Sequence, residues 1–295
     1  MKPTIFTGAA VALVTPFQTD GSINYEEFAR LIDFQIENGT DALVIAGTTG
    51  ESSTLSEQEH IDLIKFAVEH TNHRVPVIAG TGSNSTETAV MLSKAAEEVG
   101  ADALLIVTPY YNKTTQRGLY VHYKTIAESV KLPIILYNVP SRTGLNIDVE
   151  TAAKLAEIEN IVAMKDAVGS ITYTANLIAR CGDSLDVYSG NDDQIIPMMS
   201  LGAKGVISVL SNVAPKETHD MTAAALAGDF QTAASLQLKY LGLIHALFIE
   251  TNPIPVKEAV NQMGYAAGGC RLPLYEMADE TKATLVAEMK KQGLV

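Results

Sequence analysis

Lys165 directly follows the apolar run Ile161-Val162-Ala163-Met164. An ammonium there either snorkels to a solvated rim or stands inside a pocket. In the second case lost hydration favours the neutral amine, the form that attacks a carbonyl to make an imine. Other reactive types close similar runs. Gly47-Thr48-Thr49-Gly50-Glu51-Ser52 places two hydroxyls between glycines, either an ordinary turn or a cradle for a carboxylate or phosphate. Tyr137-Asn138-Val139-Pro140-Ser141-Arg142-Thr143-Gly144 offers a phenol and a guanidinium. The phenol is either a packed core group or a proton relay, and the guanidinium is either solvated or a two-pronged carboxylate clamp. Thr108-Pro109-Tyr110-Tyr111-Asn112 adds adjacent tyrosines, read as packing or interface residues or as a further relay. Ser189-Gly190-Asn191-Asp192-Asp193 brings neighbouring carboxylates, which suit a metal, an acid–base pair or a cap on a helix at Ile195–Met199. No His/Cys/Asp cluster supports the metal. The histidines fall mostly in helical segments, which disfavours a His-activated nucleophile. Asp166, next to Lys165, should point away from any pocket by strand alternation and serve a structural role.

The elements that must position these groups recur regularly. Short β-branched runs occur at Ala9–Val14, Ala42–Ala46, Val75–Ala79, Ala103–Val107, Ile134–Tyr137, Ile161–Met164, Leu185–Tyr188 and Gly205–Val209. Continuous apolar runs suit parallel strands covered on both faces. Amphipathic helices fall between them. Phe28, Leu31, Ile32 and Ile36 follow an Asn24-x-x-Glu27 start, and Ile61, Ile64, Ala67 and Val68 follow a capping box of Ser56 and Glu59. Gly39, Gly100 and Gly202 each sit where a helix ends and the next strand begins, as left-handed caps do. Eight strand–helix units predict an α/β fold, a (β/α)8 TIM barrel over residues 1–225. No G-x-G-x-x-G opens the first helix, which argues against a doubly wound sheet. Strand signals stop near Leu226, and residues 226–295 read as a C-terminal helical region with helices at Phe230–Leu247, Val256–Met263 and Glu276–Gln292. In a barrel of this kind chemistry takes place at the C-terminal strand ends, where the reactive types lie.

Bulk properties narrow the class. The chain has 295 residues, 47% of them hydrophobic, and no apolar stretch of membrane-spanning length. A formal charge of −13 disfavours nucleic acid and anionic membranes as partners, while leaving room for a small anionic substrate in a locally cationic pocket. Two cysteines, Cys181 and Cys270, without CxxC spacing suit a reducing cytoplasm. The first residues run straight into a strand-like segment, so a cytoplasmic location is expected.

Together the strand-end segments resemble the dihydrodipicolinate synthase / N-acetylneuraminate lyase family of class I, Schiff-base aldolases. The resemblance runs from Gly8 with Ala12-Leu13-Val14-Thr15-Pro16-Phe17, through G-T-T-G-E at 47–51 and Y-N-V-P-S-R-T-G at 137–144, to N-P-I-P-V-K at 252–257. It implies an imine between Lys165 and pyruvate, with Tyr137 moving protons at that centre. Thr48 would link Tyr137 to Tyr111 in a relay, Tyr111 reaching in from a neighbouring subunit. Thr49 would hold the pyruvate carboxylate, with Gly190 and the backbone of Ile207 lining the pocket. Arg142 would meet the carboxylate of aspartate-4-semialdehyde, the second substrate, in the diaminopimelate and lysine pathway. Pyruvate would be bound covalently, no metal or organic cofactor would be needed, and the chain would form a dimer of tight dimers.

Within the family, P-S-R-T-G favours a small acidic aldehyde over a sugar acid, the substrate of the sialic acid lyases. A pyruvate-dependent sugar-acid lyase and a non-catalytic keto-acid-binding barrel remain the alternatives. The resemblance also implies a lysine-effector cleft at Ser52, Ser53, Glu57, His60, Asn84, Thr88 and Tyr110. This chain departs from it: Glu57 stands where lysine-sensitive members often have histidine, and Thr88 where they have a glutamate for the effector's amino group. Weak or absent lysine feedback is therefore expected.

Overall fold

The computed structural model describes residues 2–295. Eight strands, β1 (Gly8–Ala12), β2 (Ala42–Ile45), β3 (Val77–Gly80), β4 (Ala103–Val107), β5 (Ile134–Asn138), β6 (Ile161–Asp166), β7 (Asp186–Ser189) and β8 (Gly205–Ser208), pair in parallel in chain order. The eighth returns to the first, closing the barrel, with Gly8 opposite Gly205 and Ala10 opposite Ile207. At that seam the strands approach so closely that a Cβ on Gly205 would lie 1.8 Å from the Gly8 carbonyl oxygen.

Helices α1 (Tyr25–Glu37), α2 (Glu57–Thr71), α3 (Thr86–Glu98) and α4 (Gln116–Ala127) follow the first four strands. A one-turn helix, α5 (Pro140–Thr143), precedes α6 (Val149–Leu155), and α7 (Ile171–Cys181), α8 (Ile195–Met199) and α9 (Pro215–Leu226) complete the ring. Three more follow: α10 (Phe230–Ala246), α11 (Ile254–Gln262) and α12 (Asp279–Lys291). The expected starts are present. Asn24 accepts the Glu27 N–H, and Ser56 and Glu59 form a complete capping box, each such cap stabilising its helix by about 1 kcal/mol. Gly39, Gly100 and Gly202 adopt φ of +85°, +91° and +110°, the left-handed turn into the next strand.

Two apolar layers form the core. The outer one joins the outward strand faces to the helices through Phe28, Leu31, Leu63, Ile64, Leu119 and Tyr123, among others. The inner one fills the barrel with Ala10, Val44, Ile78, Ile135, Tyr188 and Ile207. Tyr188 stacks on Phe6 at 4.3 Å between centroids and donates its hydroxyl to the Phe6 carbonyl at 2.7 Å, plugging the floor. Lys2 adds a staple: its Nζ donates to the carbonyls of Ala156, Ile158 and Ile161 where β6 begins. Among the described residues no helix is long and apolar enough to cross a membrane.

Candidate active site

Register brings the reactive groups together. β5 and β6 pair Tyr137 with Lys165, and Asn138 with Asp166. Alternation then sends Tyr137 and Lys165 into the barrel, and Asn138 and Asp166 outward. Lys165 is 6% exposed and Tyr137 7%, with the Lys165 Nζ 4.4 Å from the centre of the Tyr137 ring. Asp166 accepts hydrogen bonds from the Thr174 hydroxyl at 2.6 Å and the Val168 N–H at 3.0 Å. It is a structural tie from β6 to α7, and burial pushes its carboxyl pKa above the usual range.

Lys165 opens on a cavity of about 430 Å³ that is also lined by Thr49, Tyr137, Arg142, Gly190 and Asn252, a size suited to a small metabolite. Gly190 is required where it stands, because a Cβ there would meet the Cβ of Ala167 at 2.7 Å. Ile207 lies below, buried in the barrel interior, with Val209 reaching the cavity wall in its place. Arg142 rides on α5, a helix with Pro140 at its start and Gly144 as its left-handed cap. That places the guanidinium at the mouth.

A residue outside the barrel completes the arrangement. Asn252 donates its side-chain amide to the Thr49 hydroxyl at 3.0 Å, and its carbonyl accepts from Arg142 Nη2 at 2.9 Å. Its side-chain oxygen is buried without a partner among the described residues. N-P-I-P-V-K marked the family resemblance, but spacing gave no sign that its asparagine bridges two groups of the site.

Other expected residues fall elsewhere. Thr48 lines an adjoining cavity of about 190 Å³ with Ser52, Ser53, Tyr110 and Arg142. Tyr111 is 91% exposed and lines neither cavity of its own chain. His60 is buried with its Nε2 2.6 Å from the Gly80 carbonyl, and burial lowers its pKa. Asn84 accepts from the Asn112 side chain through its carbonyl, Glu57 starts α2, and Thr88 lies in the first turn of α3. The helix-cap reading of Asn191-Asp192 needs correction. Asn191 makes no side-chain cap, whereas Asp192 accepts the Val209 and Leu210 N–H groups at 3.0 and 2.8 Å. Asp192 thus fastens the turn after β8, and burial raises its pKa. Among the described residues no cluster of three or more His, Cys, Asp or Glu side chains is placed to hold a metal.

The fold and site define a (β/α)8 enzyme scaffold presenting a nearly dry lysine amine to a small, hydroxyl-bearing cavity. The chain belongs to the dihydrodipicolinate synthetase family, whose sequence profile matches residues 5–292. It is 59% identical over 292 residues to the 4-hydroxy-tetrahydrodipicolinate synthase of Lachnoclostridium phytofermentans, covering 99% of each chain. Among solved structures it is similar to the dihydrodipicolinate synthase of Acinetobacter baumannii complexed with pyruvate. That pair has a TM-score of 0.97 and 49% identity over 99% of this chain and 100% of the other. The enzyme of Aquifex aeolicus gives 0.96 and 50%, over 98% and 99%.

Proposed function

We propose that this enzyme condenses pyruvate with L-aspartate-4-semialdehyde to 4-hydroxy-tetrahydrodipicolinate, in the cytoplasm, on the route to diaminopimelate and lysine. The observation that carries the reading is Lys165, buried beside the Tyr137 ring on the wall of a cavity that also holds Thr49 and Arg142. The amine attacks the pyruvate ketone, water leaves, and an imine forms. The protonated imine withdraws electrons, so a methyl proton is lost and an enamine results. Its carbon attacks the aldehyde to form the carbon–carbon bond. The second substrate's own amine then displaces Lys165 as the ring closes, which regenerates the free lysine.

Thr49 holds the pyruvate carboxylate above Gly190, and Arg142 receives the carboxylate of the aldehyde. Phenols, with pKa near 10, are poor bases alone, so Tyr137 needs a relay. Thr48 and a partner subunit's tyrosine at position 111 supply it, which requires at least a dimer; two such dimers pair into a tetramer. None of these steps calls for a metal or an organic cofactor.

Borohydride trapping in the presence of pyruvate tests the imine. A mass gain confined to Lys165 is expected, and a folded protein that gains no mass refutes the mechanism. Condensation with aspartate semialdehyde, with no cleavage of sialic acid, is the expected substrate profile.

A further inference from the structure

The loop carrying Thr48 and Thr49 adopts a conformation that its residues disfavour. Ala46 (φ +54°) and Glu51 (φ +58°) bracket Gly47–Gly50, and both are non-glycine residues in the left-handed region. Such strain persists only where the surroundings over-determine it. Three side chains grip the loop from elsewhere in the sequence. The Thr15 hydroxyl donates to the Gly50 carbonyl at 2.7 Å, Asn252 holds Thr49, and Lys257 Nζ meets Glu51 Oε1 at 2.8 Å.

That last contact is the driest ion pair among the described residues, with side chains 2% and 1% exposed. Its hydrogen bonding extends beyond the pair itself. Lys257 also donates to the Gly269 carbonyl at 2.7 Å and lies 4.2 Å from the centre of the Phe17 ring, while Glu51 Oε2 accepts the Arg271 N–H at 2.9 Å. Cys270 beside it adds no charge, because burial and the Glu51 carboxylate push its thiol up to about 12. A buried pair of this kind adds little net folding stability over apolar residues of equal volume, since desolvation offsets the attraction. What it supplies is geometry. Lys257 sits on α11, which starts just after Asn252, the residue that touches both Thr49 and Arg142.

The geometry points to Lys257 as a positioning residue for the reaction: through Glu51 it holds the Thr48–Thr49 loop in the strained form that receives a carboxylate. Lys257 acts on the loop and never on the reacting atoms. The inference rests on the reading of Thr49 as the pyruvate-carboxylate ligand.

Four proteins test it: wild type, Thr49→Val, Lys257→Met, and the double variant Glu51→Met/Lys257→Met. The double variant fills the same space without charge and is expected to melt within a few degrees of wild type. Its KM for pyruvate should rise about tenfold, and kcat should fall by a smaller factor because Thr48 of the proton relay rides on the same loop. Lys257→Met alone, which leaves Glu51 unpaired, should show the same KM rise with a lower melting temperature. A raised KM in Thr49→Val together with an unchanged KM in the folded double variant overturns the role of Lys257 and spares that of Thr49. The reverse pattern removes Thr49 as the ligand and so overturns the inference through its premise, a failure distinct from the first. A double variant that does not fold makes the pair a determinant of the fold and overturns the positioning role.

Discussion

The Arg142 guanidinium makes one hydrogen bond to the protein among the described residues, from Nη2 to the Asn252 carbonyl. A guanidinium carries five N–H donors, so this tether orients the fork and leaves donors for a carboxylate. Arg142→Ala should therefore raise the KM for aspartate semialdehyde by about tenfold or more, the scale of a lost charge-assisted pair. Pyruvate imine formation, read by borohydride trapping, should persist. Loss of trapping in the folded variant would show that Arg142 serves pyruvate instead. Lys165, Thr49 and Arg142 were legible in the sequence because each closes an apolar run or follows one within a few residues. Asn252 was not, because its partner Thr49 lies 203 residues away and no local pattern encodes that contact.

Strands and helices follow from local patterning, and the differences arise where pairing overrides it. An apolar run stops at Met164, yet β6 continues to Asp166 because β5 keeps supplying partners as far as Asn138. The helix that carries Arg142 spans four residues, too few for any periodicity to show, and reads from sequence as a turn. Lysine feedback belongs to this scale, since the expected effector cleft is assembled from helix starts. Thr88 occupies the first turn of α3 behind its Ser85 cap, and Glu57 begins α2. A threonine at 88 offers an effector ammonium no charge, which removes about 1.5–3 kcal/mol, a tenfold to hundredfold loss of affinity. A lysine titration should give inhibition only at millimolar levels or none, and Thr88→Glu should strengthen it. Strong inhibition of the unaltered enzyme at submillimolar lysine would refute the reading.

At the scale of the whole molecule, the acidic surface and the site differ in sign. A chain of net charge −13 still presents the Arg142 guanidinium to the cavity that Lys165 opens on, a fixed local positive charge for an anionic substrate, although Glu250 also lines the wall. The helices after α9 also reach the site, since Asn252 and Lys257 fasten the loop at the end of β2. Tyr111 breaks the enclosure. It stands 91% exposed with φ +68°, a large aromatic in a disfavoured backbone conformation, outside its own chain's cavities. An exposed tyrosine held this way is suited to completing a second copy's site, and a two-fold dimer would make the exchange reciprocal. Mixing two inactive variants tests this. In a mixed dimer of Lys165→Ala with Tyr111→Phe, the second chain keeps its lysine and borrows an intact tyrosine from the first. Random reassociation of equal amounts makes about half the dimers mixed, each with one complete site, so about a quarter of wild-type activity should return. If both variants are inactive alone and the reassociated mixture stays inactive, Tyr111 serves its own chain's site and the shared relay fails.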